Sequence, residues 1–236
     1  MRILLINPNS TGSMTEKAAK AASLVARPDT EIVPVTSKNG PPSIEGFLDV
    51  AMCQSELVKE ALNHKDVDAV IVGCFDDTGL DALRCVFDVP VIGIGEAAYH
   101  AASLVSHRFS VVTTLSRSVA GISDNLNNYG LAARCAKVRA TDIPVLKLEE
   151  NDPESLNLIR AEIAAALNED KAEAIVLGCA GMADLMAQLS KEFNIPVIDG
   201  VACAVGFAEG LVSAGIKTSK VGTYVSNTDK YAVSEN

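Results

Sequence analysis

The chain has 236 residues, 48% of them apolar, with 20 Lys and Arg against 30 Asp and Glu for a formal charge of −10; that is enough chain for one large or two small buried cores. Tryptophan is absent and aromatics reach only 4%, which leaves little for base-stacking or sugar-stacking surfaces. With no basic run, the negative charge argues against nucleic acid or an anionic membrane as partner.

Taken in chain order, short apolar runs alternate with longer amphipathic segments. Arg2–Ile6 is rich in Ile and Leu and is halted by Asn7-Pro8-Asn9, so it reads as a buried strand, too short for an export signal. A helix is expected over Ser13–Ala26, a strand over Glu31–Thr36, a helix over Asp49–Asn63 and a strand over Ala69–Gly73. Thr78–Phe87 reads as a helix and Val89–Gly93 as a strand. The alternation resumes with strands at Ser110–Thr114, Ala136–Ala140, Ala174–Gly178 and Ile195–Asp199. Helices are expected between them at Ser116–Tyr129, Asp152–Asn168 and Met182–Glu192. Ala202–Ala214 and Lys220–Val225 read as a closing helix and a last strand. Such alternation predicts an α/β fold with parallel sheets flanked by helices.

Two stretches of the chain match residue by residue. Ala69-Val-Ile-Val-Gly-Cys74 corresponds to Ala174-Ile-Val-Leu-Gly-Cys179, and Val89-Pro-Val-Ile-Gly93 to Ile195-Pro-Val-Ile-Asp199. Cys74 lies 16 residues before Pro90, and Cys179 lies 17 before Pro196. The repeat predicts two pseudo-symmetric lobes, residues 1–96 and 97–205, crossing over near Glu96–Leu104. Residues 206–236 are expected to return to the first lobe, and the active site to lie in the cleft between the lobes.

Each repeated cysteine follows Gly at the end of a buried strand and precedes a helix, the place where α/β sheets bind ligands. Free amides at the start of that helix favour an anion, so a thiol there is expected to ionise more readily than usual. The Phe75 and Ala180 amides can receive charge that develops on a carbonyl oxygen. Duplication puts one thiol on each wall of the cleft, a geometry suited to inversion at carbon: one removes an α-proton, the other returns one to the opposite face. Cys53, Cys85, Cys135 and Cys203 read instead as small buried hydrophobes. Six cysteines without an export signal do not suggest a disulfide framework, and a cytoplasmic location with reduced thiols is expected. Neither a Cys-x-x-Cys pair nor a histidine spacing suited to a metal occurs, and no run approaches the length of a membrane span.

Asn7-Pro-Asn-Ser-Thr11, Gly73-Cys-Phe-Asp-Asp-Thr-Gly79 and Leu177-Gly-Cys-Ala-Gly-Met182 together resemble the aspartate/glutamate racemase superfamily, and within it the hydantoin and allantoin racemases. The resemblance covers essentially the whole chain. It implies a two-lobed α/β fold, a mechanism independent of pyridoxal phosphate or other cofactor, and Cys74 and Cys179 as the acid–base pair. It also implies a 5-substituted hydantoin as substrate, allantoin being one example, and a homo-oligomer. By the same analogy Pro8 and Asn9 lie at the ligand, with Thr113 and Thr114 facing them from the other lobe.

Pro41-Pro-Ser43-Ile44 has the stiff composition of a covering loop, which makes Ser43 and Ile44 further contacts. Phe75 is expected to set an apolar surface beside the reacting carbon. Asp76 and Asp77 stand where the second copy has Gly181 and Met182. One of the two is expected to cap the Thr78–Phe87 helix, and a carboxylate beside Cys74 would raise that thiol's pKa and make it the more frequent acid. The loops after both cysteines lack Lys and Arg, which favours a neutral cyclic ureide over a free amino acid as substrate.

Other readings fit less of the chain. Gly93-Ile-Gly-Glu-Ala-Ala98 matches a dinucleotide fingerprint but sits on the fourth strand and lacks the later acidic residue. A cysteine hydrolase needs a histidine beside its nucleophile, and His64, His100 and His107 have no recognisable partner. A malonate decarboxylase needs only one thiol. A two-lobed binding protein without chemistry needs neither.

Overall fold

The computed structural model describes residues 1–150 and 153–226. Among the described residues eight strands form two separate four-stranded parallel sheets. The first contains β1 (Arg2–Asn7), β2 (Glu31–Thr36), β3 (Ala69–Val72) and β4 (Val91–Gly93) in the order β2-β1-β3-β4. The second contains β5 (Phe109–Thr113), β6 (Cys135–Ala140), β7 (Ala174–Gly178) and β8 (Val197–Ile198) in the equivalent order β6-β5-β7-β8. The central strands are buried at nearly every residue, as continuous Val, Ile and Leu runs require when both faces are covered. Pro34 falls on β2, an edge strand, where a missing N–H leaves no gap in a ladder.

The helices are α1 (Gly12–Val25), α2 (Phe47–Ala61), α3 (Leu80–Val86), α4 (Ile94–Val105), α5 (Val119–Asn128), α6 (Pro153–Ala165), α7 (Met186–Phe193) and α8 (Gly200–Ser213). The expected crossover is α4, which leaves the first sheet and packs on β7 and β8 of the second. In exchange α8 leaves the second sheet and packs on β3 and β4 of the first, while α4 and α8 lie against each other. Ile3, Leu5 and Ile71 of one sheet thereby share a single buried cluster with Val111 and Val176 of the other, with α4 and α8 between them. Two further clusters cover the outer faces. The lobes are joined by their main core and do not merely touch.

Two expectations need correction. Lys220–Val225 forms no strand: Val221 and Val225 are 89% and 56% exposed, with no buried face to hold a sheet register. The segment is tied to the first lobe by side chains instead, Thr218 Oγ1 to the Val89 carbonyl and Tyr224 OH to Asp81. The helix expected at Met182–Glu192 begins as a 3-10 turn over Ala180–Leu185. Residues 227–236, expected to return to the first lobe, and the start of the helix expected from Asp152 lie outside the described residues.

Candidate active site

Both sheets reverse their direction of growth between the first strand and its third-strand neighbour, β1 and β3 in one lobe, β5 and β7 in the other. Loops after these strands diverge there and leave a crevice. The two crevices face one another and form one cavity. From the first lobe it is lined by Asn9, Met14, Ile44, Gly73, Cys74, Phe75 and Asp76. Thr113, Thr114, Ser118, Val145, Gly178, Cys179 and Ala180 close it from the second. Its volume is about 30 Å³, room for one or two waters and not for a ring, so this is a closed conformation that must open to admit a substrate.

Of the residues singled out from the sequence, the structure leaves three off the cavity wall. Pro8 is buried, and its carbonyl packs so tightly on Gly40 that no Cβ fits there. Ser43 is half-buried beside Ile44, which does reach the wall. Gly181 acts one step back, donating its N–H to Cys179 Sγ at 3.4 Å. Asn9 lines the cavity, but its Oδ1 accepts from Thr11 N–H and Asn7 Nδ2, both at 2.9 Å, so it shapes the loop as much as it faces the cleft. Met14, Ser118 and Val145 were not foreseen. Met14 sits on an apolar helix face like any core residue, and Ser118 stands before α5, outside the stretches that the repeat matches.

The two cysteines differ in setting. Cys179 caps the 3-10 turn directly. Cys74 does not head a helix: a turn intervenes, with Asp77 N–H on the Cys74 carbonyl and Leu80 N–H on the Asp77 carbonyl. The cap of α3 is Gly79, with φ 76° in the left-handed region, where glycine is favoured. The easier ionisation expected for Cys74 is therefore reversed. Burial pushes its thiol well above the ordinary value and the Asp76 carboxylate adds to this, against one backbone N–H from Asp76. Asp76 itself is pushed up to about 6 by burial.

The Phe75 and Ala180 N–H groups have no acceptor among the described residues, so both remain available to a ligand oxygen. The Phe75 ring is 4% exposed and meets Tyr99 edge-on at 5.3 Å. The apolar surface expected from that ring is largely used inside the core.

Asp77, not Asp76, is the capping residue, and it caps a different helix from the one expected. Its carboxylate accepts from the N–H groups of Gly95 and Glu96 at the start of α4, and from Tyr129 OH at 2.8 Å. Burial still pushes it up to about 7. Any Cβ at Gly93 or Gly95 would overlap this carboxylate. The anion position at the Gly93-Ile-Gly95 turn is thus filled by the protein's own side chain, which removes the dinucleotide reading. No histidine lines the cavity among the described residues, which leaves a cysteine hydrolase without its base.

The covering loop is fastened across the cleft. Glu45 pairs with Arg117 of the second lobe at 2.7 Å and accepts from Val145 N–H at 3.1 Å. Ser10 N–H and Thr11 Oγ1 hold the same loop from the first lobe through the Pro41 and Pro42 carbonyls.

Comparison with known proteins agrees with this geometry. Residues 3–208 match the family model described as Asp/Glu/Hydantoin racemase. The chain is 50% identical over 226 residues to a hydantoin racemase of Rhizobium meliloti, covering 95% of this chain and 94% of that one. An allantoin racemase from Klebsiella pneumoniae superposes with a TM-score of 0.93 at 43% identity, covering 96% of this chain and 93% of that one. One from Pseudomonas fluorescens superposes equally well at 42% identity, covering 96% and 97%.

Proposed function

The chain belongs to the Asp/Glu/hydantoin racemase family and is a racemase, and from that premise we propose that it inverts the ring carbon of a neutral 5-substituted hydantoin, with Cys74 and Cys179 as its two acid–base groups. The observation that carries this is the meeting of both thiols in one cavity, each from the equivalent loop of its own sheet. One sulfur, as thiolate, takes the C5 proton. The C–H electron pair moves into the adjacent carbonyl as an enolate, and the opposite thiol returns a proton to the other face. The two sulfurs exchange protonation states, and nothing else is consumed. The Phe75 and Ala180 amides are suited to the enolate oxygen, since donors fixed before charge develops stabilise it without reorganising.

The cavity chemistry supports a neutral substrate. Its lining contains Asp76 and neither Lys nor Arg, so a carboxylate on the reacting carbon itself would meet a like charge with no cation in the cavity wall. An imide-type carbonyl also gives an enolate that avoids a second negative charge. No cofactor enters this scheme, and chelator-treated, dialysed protein is expected to keep its activity. The test is deuterium incorporation at the α-carbon of a 5-substituted hydantoin, aspartate and glutamate under identical conditions. Faster exchange into the hydantoin is expected; faster exchange into either amino acid overturns the substrate class.

A further inference from the structure

A second cavity of about 130 Å³ adjoins the first, with Asp76 and Ser118 in both walls. Like the catalytic cavity it lies between the lobes. Phe47 and Val50 come from α2 on one side, and Arg117, Gly121 and Asn125 from the other. It holds several times the space one water needs, whereas the cavity at the cysteines cannot take a ring and a substituent together.

Polar groups of this chamber are matched in kind. Asp76 is surrounded by protein but open to the cleft, and no hydrogen bond from the described residues reaches its carboxylate. Asn125 donates its Nδ2 to the Asp76 main-chain carbonyl at 2.9 Å, which leaves its Oδ1 as an acceptor. Arg117 commits Nη2 to Glu45 and keeps further N–H donors at the wall. A charged acceptor, a neutral acceptor and a planar donor are together the complement of a group with several N–H donors and one carbonyl oxygen. A hydrocarbon substituent would leave the carboxylate desolvated and unpaired, which a site built for hydrogen bonding penalises strongly.

We infer that this chamber receives the 5-substituent, and that Asp76 selects a substituent carrying N–H donors, of the ureido type, over an alkyl one of similar size. The inference rests on the proposed hydantoin racemisation and deepens it.

The experiment compares kcat/KM for allantoin and for 5-isobutylhydantoin in the native enzyme and in Asp76→Asn. The native enzyme is expected to favour allantoin by at least tenfold. Asp76→Asn alters the surroundings of Cys74 for both substrates, so the ratio is read: the preference for allantoin over the alkyl substrate is expected to fall at least tenfold, as an amide cannot replace a charged acceptor. The fold does not depend on this carboxylate. Gly121→Leu supplies an independent reading: the one atom within 4 Å of a Cβ there is on Phe47, at 3.9 Å, so the backbone accepts a side chain at this position of the chamber wall. The substitution should cost allantoin tenfold and leave 5-methylhydantoin within threefold. Equal losses on both substrates, or a native preference for the alkyl one, overturn the inference alone. Racemisation of no hydantoin by the native enzyme overturns the proposed function and this inference with it.

Discussion

The two lobes carry the same strand order and the same Gly-Cys loop, yet they solve one small problem differently. In the second lobe β8 is followed by Asp199, which caps its own helix α8 through the Val201 and Ala202 N–H groups. In the first lobe the matching position is Gly93, and the cap of α4 comes from Asp77, 16 residues earlier in the loop after Cys74. The carboxylate has moved from the strand end to the loop, and the glycine makes room for it. A consequence is that the loop after Cys74 is braced against the crossover helix and also carries Asp76 beside the thiol. The loop after Cys179 is a plain 3-10 turn with Gly181 and Met182. Equal topology therefore supplies two thiols, and the unequal loops give them different surroundings.

The largest test of the symmetry is removal of each thiol. Cys74→Ser and Cys179→Ser are each expected to lower racemisation by about 10²–10⁴-fold or more, with unchanged circular dichroism, measured by polarimetry on both enantiomers. If either variant kept full activity, the lobes would not share the reaction.

The capping difference is tested by thermal unfolding. Asp77→Ala orphans two buried backbone donors and the Tyr129 hydroxyl, a loss of about 2–3 kcal/mol, or roughly 5–10 °C in Tm for a chain of this size. Asp199→Ala loses one helix cap, about 1 kcal/mol and roughly 2–4 °C. Equal shifts would show that Asp77 braces nothing beyond its helix.

Asp76 sharpens the contrast through pH. Its charge raises the Cys74 pKa, so Asp76→Asn should move the acidic limb of the direction that uses Cys74 as base to lower pH, by roughly half to one unit. In the opposite direction, where Cys74 is the acid, the alkaline limb should move down by a similar amount, while the limbs set by Cys179 stay in place. A shift of the limbs set by Cys179 as well would mean that the two thiols titrate as one unit.

The smallest effect is expected at the covering loop. Glu45→Ala removes the clasp to Arg117 and Val145, and should speed thiol modification of the ligand-free enzyme by a few-fold. An unchanged rate would show that the clasp does not govern opening.

Much of this was legible in the sequence, for identifiable reasons. Strands buried on both faces leave continuous Val, Ile and Leu runs, and the near-identity of Ala69–Cys74 with Ala174–Cys179 exposed both the repeat and the paired thiols. What the sequence concealed was long-range. The capping role of Asp77 depends on a helix 17 residues later folding back to it, whereas a local reading assigned the cap to the adjacent helix. The start of α3 was placed at Thr78 because nothing local shows that Gly79 takes the left-handed turn that caps it. The chamber beside Asp76 is built from α2 and α5, segments whose proximity only the closed lobes create. Lys220–Val225 alternates like a strand but has no neighbour to pair with.

The central claim is that Cys74 and Cys179 work from opposite faces, and exchange with solvent tests it most directly. Cys74→Ser and Cys179→Ser are each incubated in D2O with single enantiomers of the same hydantoin, and deuterium at C5 is followed by NMR before any inversion. Each variant should exchange one enantiomer only, and the two variants should exchange opposite ones. Exchange of the same enantiomer by both, or of both enantiomers by one, would contradict the two-thiol account.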